Sequence, residues 1–118
     1  MNDRASIQVL NRGSFTQVLI GPGKLAESAY ADLVAHLRAA AAKPLVVVWE
    51  ASCEDVDFLQ TFKMGSALAG VTGPIAIVFG RRDIKEADRF TELVARNRGA
   101  QVRTCEDVPS ARAWLGVD

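Results

Sequence analysis

Two stretches decide the fold of this chain: LVVVW at residues 45–49 and IAIVF at residues 75–79. Each is apolar throughout and rich in β-branched side chains, which is typical of a strand covered on both faces. Strands of this kind usually belong to parallel sheets, whose crossover connections carry helices. We therefore predict two central strands, at about residues 44–50 and 74–79, in a domain of the α/β class.

Helical patterns lie between and beyond these strands. Residues 24–42 contain neither glycine nor proline and repeat apolar side chains at helical spacing. Further helices are expected from about Ser52 to Gly70, after a cap at Asp83, and after a cap at Asp107. The side chains expected to face inward from the last two helices are Ile84, Ala87, Phe90, Leu93, Val94, Ala111, Trp114 and Leu115.

A hairpin begins the fold and a short strand comes near its end. Strands are predicted at about residues 5–10 and 15–20, with the turn residues Asn11 to Ser14 between them. Gly21-Pro22-Gly23 is expected to end the second strand. A more polar strand is expected at 101–105, on the edge of the sheet. The link between the first two strands is too short for a crossover, so the first strand alone is expected to run antiparallel.

The predicted architecture is a single domain over residues 1–118 with the order β-β-α-β-α-β-α-β-α and a five-stranded mixed sheet. Its expected core is Leu33, Leu37, Val46, Val48, Leu59, Phe62, Ile75, Ile77, Phe90, Val94, Val102 and Leu115. If the strands follow chain order, those ending near Cys53 and Cys105 flank a third. We therefore expect no disulfide between the two cysteines.

Composition excludes several classes of function. The 14 Lys and Arg residues balance the 14 Asp and Glu residues, so the charge pattern of a nucleic-acid or anionic-membrane binder is absent. No apolar stretch is long enough to span a bilayer. The first residues run directly into an alternating segment, so we expect no signal peptide and a cytoplasmic location.

Residues able to carry catalysis are few. His36 is the single histidine and lies within a predicted helix, where an ordinary surface role is expected. The acidic residues near the second helix, Glu50, Glu54, Asp55 and Asp57, suit helix capping better than a metal site. Cys53 lacks a neighbouring His or Lys that would activate its thiol. We therefore expect no catalytic residue, no metal and no cofactor.

One location favours binding. Gly80, Arg81 and Arg82 follow a buried strand and precede a helix, and Ser52 follows the neighbouring buried strand. Open α/β sheets bind ligands at the carboxyl ends of their strands, and helix N-termini favour anions. We predict that these four residues contact an anion, or an acidic segment of a partner protein or of a second copy.

Three segments carry a resemblance to a known family. They are LVVVWEAS at 45–52 with the acidic residues after it, PIAIVFGRRD at 74–83 with the helix after it, and the closing QVRTCEDVPSARAWLGVD. With the element order, they make nearly the whole chain similar to a STAS domain, the anti-sigma-factor-antagonist fold, in its SpoIIAA-like branch. The resemblance implies a bacterial, non-enzymatic regulatory module that binds a protein partner or itself.

The chain departs from this family at one functional point. Regulatory members carry a phosphorylatable serine in an Asp-Ser-Ser-Gly-like turn, whereas residues 54–59 read EDVDFL. A serine switch of that type is not expected here. Two alternatives stay open: a carrier of small apolar ligands, because the same branch also resembles CRAL-TRIO-type lipid-binding domains, and a small enzyme using Cys53 or the acidic cluster.

Overall fold

The computed structural model describes residues 6–25, 30–40, 42–53, 65–71, 73–79 and 86–117. The strands are β1 (Ile7–Asn11), β2 (Thr16–Leu25), β3 (Leu45–Cys53), β4 (Pro74–Phe79) and β5 (Gln101–Cys105). The helices are α1 (Tyr30–Ala40), α2 (described over residues 65–68), α3 (Glu86–Asn97) and α4 (Val108–Leu115).

The five strands form one mixed sheet in the order β1-β2-β3-β4-β5. β1 runs antiparallel to β2, and all the other neighbours are parallel. In the centre, Val47 of β3 is level with Val18 of β2 and with Ile77 of β4. The α/β class, the mixed five-stranded sheet and the antiparallel first strand are therefore confirmed.

The helices are distributed unequally over the two faces of the sheet. Parallel crossovers are right-handed, and here each one steps in the same direction, so the crossover helices must share a face. Accordingly, Leu33 of α1, Leu68 of α2 and Ala95 of α3 are buried in one cluster. Ala111 of α4 is buried in a second cluster on the opposite face. Among the helices that the structure describes, α4, which follows the last strand, is the one that packs on that face.

The predicted core is largely confirmed. Val46, Val48, Ile75 and Ile77 are buried, which supports both central strands. Leu33, Leu37, Val94 and Val102 are buried too, whereas Leu59 and Phe62 lie outside the described residues. Phe90 and Leu115 are only half-buried, so they lie at the margin of the core and not inside it as predicted.

Two side chains expected to point inward do not. Leu93 is 55% exposed and Trp114 is 36% exposed. In α3 the buried neighbours are Val94 and Ala95, and each helical residue turns about 100° from the last. Leu93 therefore lies roughly 150° from the centre of the buried arc, although its apolar character predicted the core.

The expectation that Gly21-Pro22-Gly23 ends β2 is wrong. The strand continues to Leu25, and its register to β3 shifts between Ile20 and Gly23. Gly21 and Gly23 both have positive φ, at 114° and 128°, which glycine adopts without steric cost. The glycines form a β-bulge in the strand instead of a stop.

The structure corrects the predicted start of one helix and confirms that of another. Lys24 and Leu25 belong to β2, so the helix predicted from residue 24 is described only from Tyr30. The cap at Asp107 is confirmed: its Oδ1 accepts a hydrogen bond from the Ser110 backbone N–H at 2.8 Å. The cap predicted at Asp83 lies outside the described residues.

Candidate functional site

The predicted anion or partner site lies at the carboxyl edge of the parallel strands. Gly80, Arg81 and Arg82 fall outside the described residues. The backbone of Ser52 belongs to β3 and is level with Lys24 of β2. Within the described residues, β3 is paired with β4 as far as Trp49 and Phe79. Ser52 lies three residues further along β3.

An aromatic pair closes the described part of this edge. The rings of Trp49 and Phe79 are 6.5 Å apart between centroids and tilted by 51°. The Trp49 Nε1 is buried and has no hydrogen-bond partner among the described residues. Phe79 belongs to the main core cluster and Trp49 packs against it, so the pair extends that core to the strand ends.

The candidate catalytic residues are not brought together in the part of the chain that the structure describes. His36 is exposed on α1, as predicted. Glu50 is half-buried on β3, whereas Glu54, Asp55 and Asp57 lie outside the described residues. Within the described ranges, no group of three or more His, Cys, Asp or Glu side chains is placed to hold a metal ion.

The Cys105 thiol is buried and free. Burial raises its pKa, and the effect exceeds the opposing influence of the Arg103 guanidinium. A thiol with a raised pKa is protonated at neutral pH and is therefore a poor nucleophile.

A polar groove runs along the outer edge of β5, between α3 and α4. The groove is open to solvent along one side and has a volume of about 1140 Å³. Its charged lining comprises the cations Arg89, Arg96 and Arg103 and the carboxylates Glu92 and Glu106. The exposed Trp114 ring stands at the α4 side. The mixture of charges favours water or a polar segment over an apolar ligand in this groove.

One side chain from α3 covers the open edge of β5. The Oε1 of Glu92 accepts a hydrogen bond from the backbone N–H of Thr104, with a nitrogen–oxygen distance of 2.7 Å. This N–H therefore points away from β4, toward the position that a sixth strand would take. A carboxylate in this place blocks strand addition, as charged side chains do at many sheet edges.

The opposite edge of the sheet is β1, and its free backbone groups can be identified. Ser6 O accepts from Gly21 N, and Arg12 N donates to Phe15 O, each at 2.9 Å. Antiparallel pairing alternates along a strand, so the even-numbered residues of this segment bond to β2. The N–H and C=O groups of Ile7, Val9 and Asn11 therefore point outward. No described strand pairs with that side.

The side chains of β1 leave its edge uncharged and partly apolar. Val9 is 45% exposed and Leu10 is 36% exposed. The strand IQVLN contains no Lys, Arg, Asp, Glu or Pro, the residues that commonly discourage pairing. The two edges of the sheet thus differ: Glu92 covers β5, and no charged side chain within β1 protects it.

Sequence reasoning did not identify either edge as a site. The absence of charge in β1 is visible in the sequence and is the signal that would have indicated it. The contact of Glu92 with Thr104 has no such signal, because it depends on how α3 packs beside β5.

Comparison with known proteins yields no relative: no protein-family model, curated protein or solved structure matches the chain. In the described residues, no helix is long and apolar enough to cross a membrane.

Proposed function

We propose that this chain is a non-enzymatic protein-interaction module, of the STAS-like regulatory kind, that binds a protein partner or a second copy of itself. The observation that carries this proposal is the unprotected edge of β1. Its outward backbone groups can hydrogen-bond another chain, and Val9 and Leu10 offer apolar contact beside them. Exposed strand edges recognise partners through main-chain bonds, with side chains supplying specificity.

The chemistry of the described residues supports a binding role over catalysis. The Cys105 thiol is held protonated by burial, and His36 is exposed on a helix without a triad around it in the described ranges. The sequence at 54–59 has no serine or threonine, so regulation by the family's serine switch is not part of the proposal. The arginines at 81 and 82 are proposed as an additional contact for acidic groups of the partner.

The test is affinity capture from the source cell with matched variants. Leu10→Glu places a charge on the apolar part of β1, whereas Gln8→Glu places one on the same face of the same strand, at a position already polar. We expect a partner that the wild type and Gln8→Glu capture and Leu10→Glu loses. A partner held equally by all three forms, or none at all, contradicts a binding role for this edge.

Native mass spectrometry of the freshly purified chain tests the apolar-ligand alternative. A stoichiometric mass increment that organic extraction removes would favour that alternative. The groove at β5 gives it no support, because its lining is mostly polar and charged.

A further inference from the structure

The two edges of the sheet differ in a way that selects a partner. At β5 the Glu92 carboxylate of α3 accepts a hydrogen bond from the outward N–H of Thr104. At β1 the outward groups of Ile7, Val9 and Asn11 have no bond to any described residue. An edge that is long enough to pair, uncharged and partly apolar is a template for another strand. The structure therefore directs association to β1 and away from β5.

We propose that β1 pairs antiparallel with β1 of a second copy, about a two-fold axis at Val9, to form one continuous sheet across the dimer. This inference deepens the proposed function by naming the partner. Two-fold interfaces are the commonest in homo-oligomers, and they require a surface that is complementary to itself.

The backbone of β1 meets that requirement. An axis at Val9 places Val9 opposite Val9 of the second copy and Ile7 opposite Asn11 of the second copy. All three of these residues direct their N–H and C=O outward, by the alternation set by Ser6 and Arg12. The result is three hydrogen-bonded pairs, each exchanging two N–H···O bonds. An axis at Leu10 would still place Val9 opposite Asn11 of the second copy, but it would leave Ile7 without a partner in β1. Val9 is therefore the axis position that uses the outward groups of all three residues.

The charges near β1 also suit a second copy. The strand itself carries none, so no like charges meet across the axis. Lys43 donates to the Asn11 side chain at one end of β1, at 3.0 Å. In the antiparallel dimer, Asn11 of the second copy lies at the other end of β1, roughly 14 Å away. The two Lys43 charges beside these residues are therefore separated by more than the screening length of ~8 Å at physiological salt, so they repel each other little. A charged peptide would find no complementary charge within β1 to steer it.

The length of β1 limits how strong this dimer can be. A strand of five residues from each copy forms a small interface, at the low end of the range for specific complexes. We therefore expect a weak dimer in reversible exchange with monomer, which increases with protein concentration.

The symmetry provides a sharp test, because the axis places residue 9 opposite itself. Val9→Lys and Val9→Asp each bring like charges together, and each should raise the dissociation constant of the dimer by roughly tenfold or more. An equimolar mixture of the two variants places opposite charges together and should dimerise again. Gln8→Lys is the control, since its lysine lies opposite Leu10 of the second copy and should leave dimerisation within about threefold of the wild type.

Sedimentation velocity on the purified full chain, over a range of concentrations, measures all four samples and the wild type. Circular dichroism confirms that each variant is folded. A wild type that stays monomeric throughout overturns the proposal, as does a Val9→Lys variant that associates like the wild type. A mixture that fails to recover dimer overturns the axis at Val9. A monomeric wild type that still captures a partner through Leu10 would leave the proposed function standing without the self-pairing.

Discussion

Glu92 of α3 and Thr104 of β5 are joined by a hydrogen bond of 2.7 Å from the strand's backbone nitrogen to the helix carboxylate. This contact satisfies an N–H that the end of the sheet would otherwise leave open. It also ties α3 to the last strand of the sheet. The contact therefore has a local role in stability and a wider role in keeping this edge from pairing.

Removing the Glu92 carboxylate should destabilise the fold. We expect Glu92→Ala to lower the free energy of unfolding by about 1–2 kcal/mol, because a partly buried N–H loses a charged acceptor. Glu92→Gln keeps an acceptor oxygen and should cost less. Urea unfolding of the three proteins measures both differences. Equal losses for the two variants would show that the hydrogen bond is not what Glu92 contributes.

A methyl group at Gly65 should be poorly tolerated. A Cβ placed there would lie 2.7 Å from the Thr91 carbonyl oxygen and 2.8 Å from the Val94 Cβ. Backbone cannot move aside easily, so Gly65→Ala should cost about 1–3 kcal/mol. Gly70→Ala is the matched control, because the atoms it would meet belong to the flexible Arg38 side chain. Thermal unfolding measures the stability of both variants. Equal losses of stability for Gly65→Ala and Gly70→Ala would contradict this close packing of α2 on α3.

The cap of α4 should give a defined pH dependence. Hydrogen bonds from Ser110 lower the pKa of Asp107 below the ordinary value of an aspartate. A lowered folded-state pKa means that the carboxylate stabilises the fold above its unfolded pKa, ~3.9. This contribution is lost as the pH falls through the folded-state value.

We expect Asp107→Ala to unfold more easily than the wild type at pH 7, and the difference to narrow in acid. Asp107→Asn keeps a capping oxygen that does not titrate. Its free energy of unfolding at pH 7 should therefore lie between those of the wild type and Asp107→Ala. Chemical unfolding at several pH values measures this. A difference between wild type and Asp107→Ala that stays constant down to pH 2 would contradict the assignment.

The two cysteines should remain unpaired. Cys105 is level with Val78, which is level with Val48, five residues before Cys53 on β3. Five strand residues span roughly 16 Å, well beyond the ~7 Å that a disulfide permits between Cα atoms. Non-reducing mass spectrometry should give the mass of the monomer with both thiols. A monomer lighter by two hydrogens would contradict the register.

The buried thiol should also react slowly. In a Cys53→Ser variant, Cys105 is the single thiol, and its raised pKa and burial should slow alkylation near neutral pH. Urea should restore the rate of an ordinary cysteine. Fast labelling of the folded variant at pH 6 would instead indicate an activated Cys105 thiol and would contradict its raised pKa.

The strands and their order could be predicted from the sequence, because the signals are local. LVVVW and IAIVF are apolar on both faces, so each needs cover on both sides wherever it lies. The short hairpin link forces β1 antiparallel, and the helical segments force the other pairs parallel. Chain order of the strands then follows from simple crossovers, and the structure has that order.

Other features could not be predicted, because they depend on what lies beside a residue in space. Gly21 and Gly23 have the composition of a turn, yet the neighbouring β3 continues and holds β2 in the sheet through a bulge. Leu93 and Trp114 are apolar, yet the sheet buries other arcs of their helices. Local composition favours a conformation or a buried position, but the packing of neighbouring segments determines whether the residue adopts it.

The sequence by itself determined the class of the fold, the central strands and the uncharged character of β1, since each depends on the order of residues along the chain. Only the tertiary structure decided that α1, α2 and α3 share one face, that Glu92 covers the edge at Thr104, and that Val9 directs its backbone outward. The first two depend on contacts that right-handed crossovers make between segments well separated in sequence. The third depends on the register of the hairpin, which its composition leaves open.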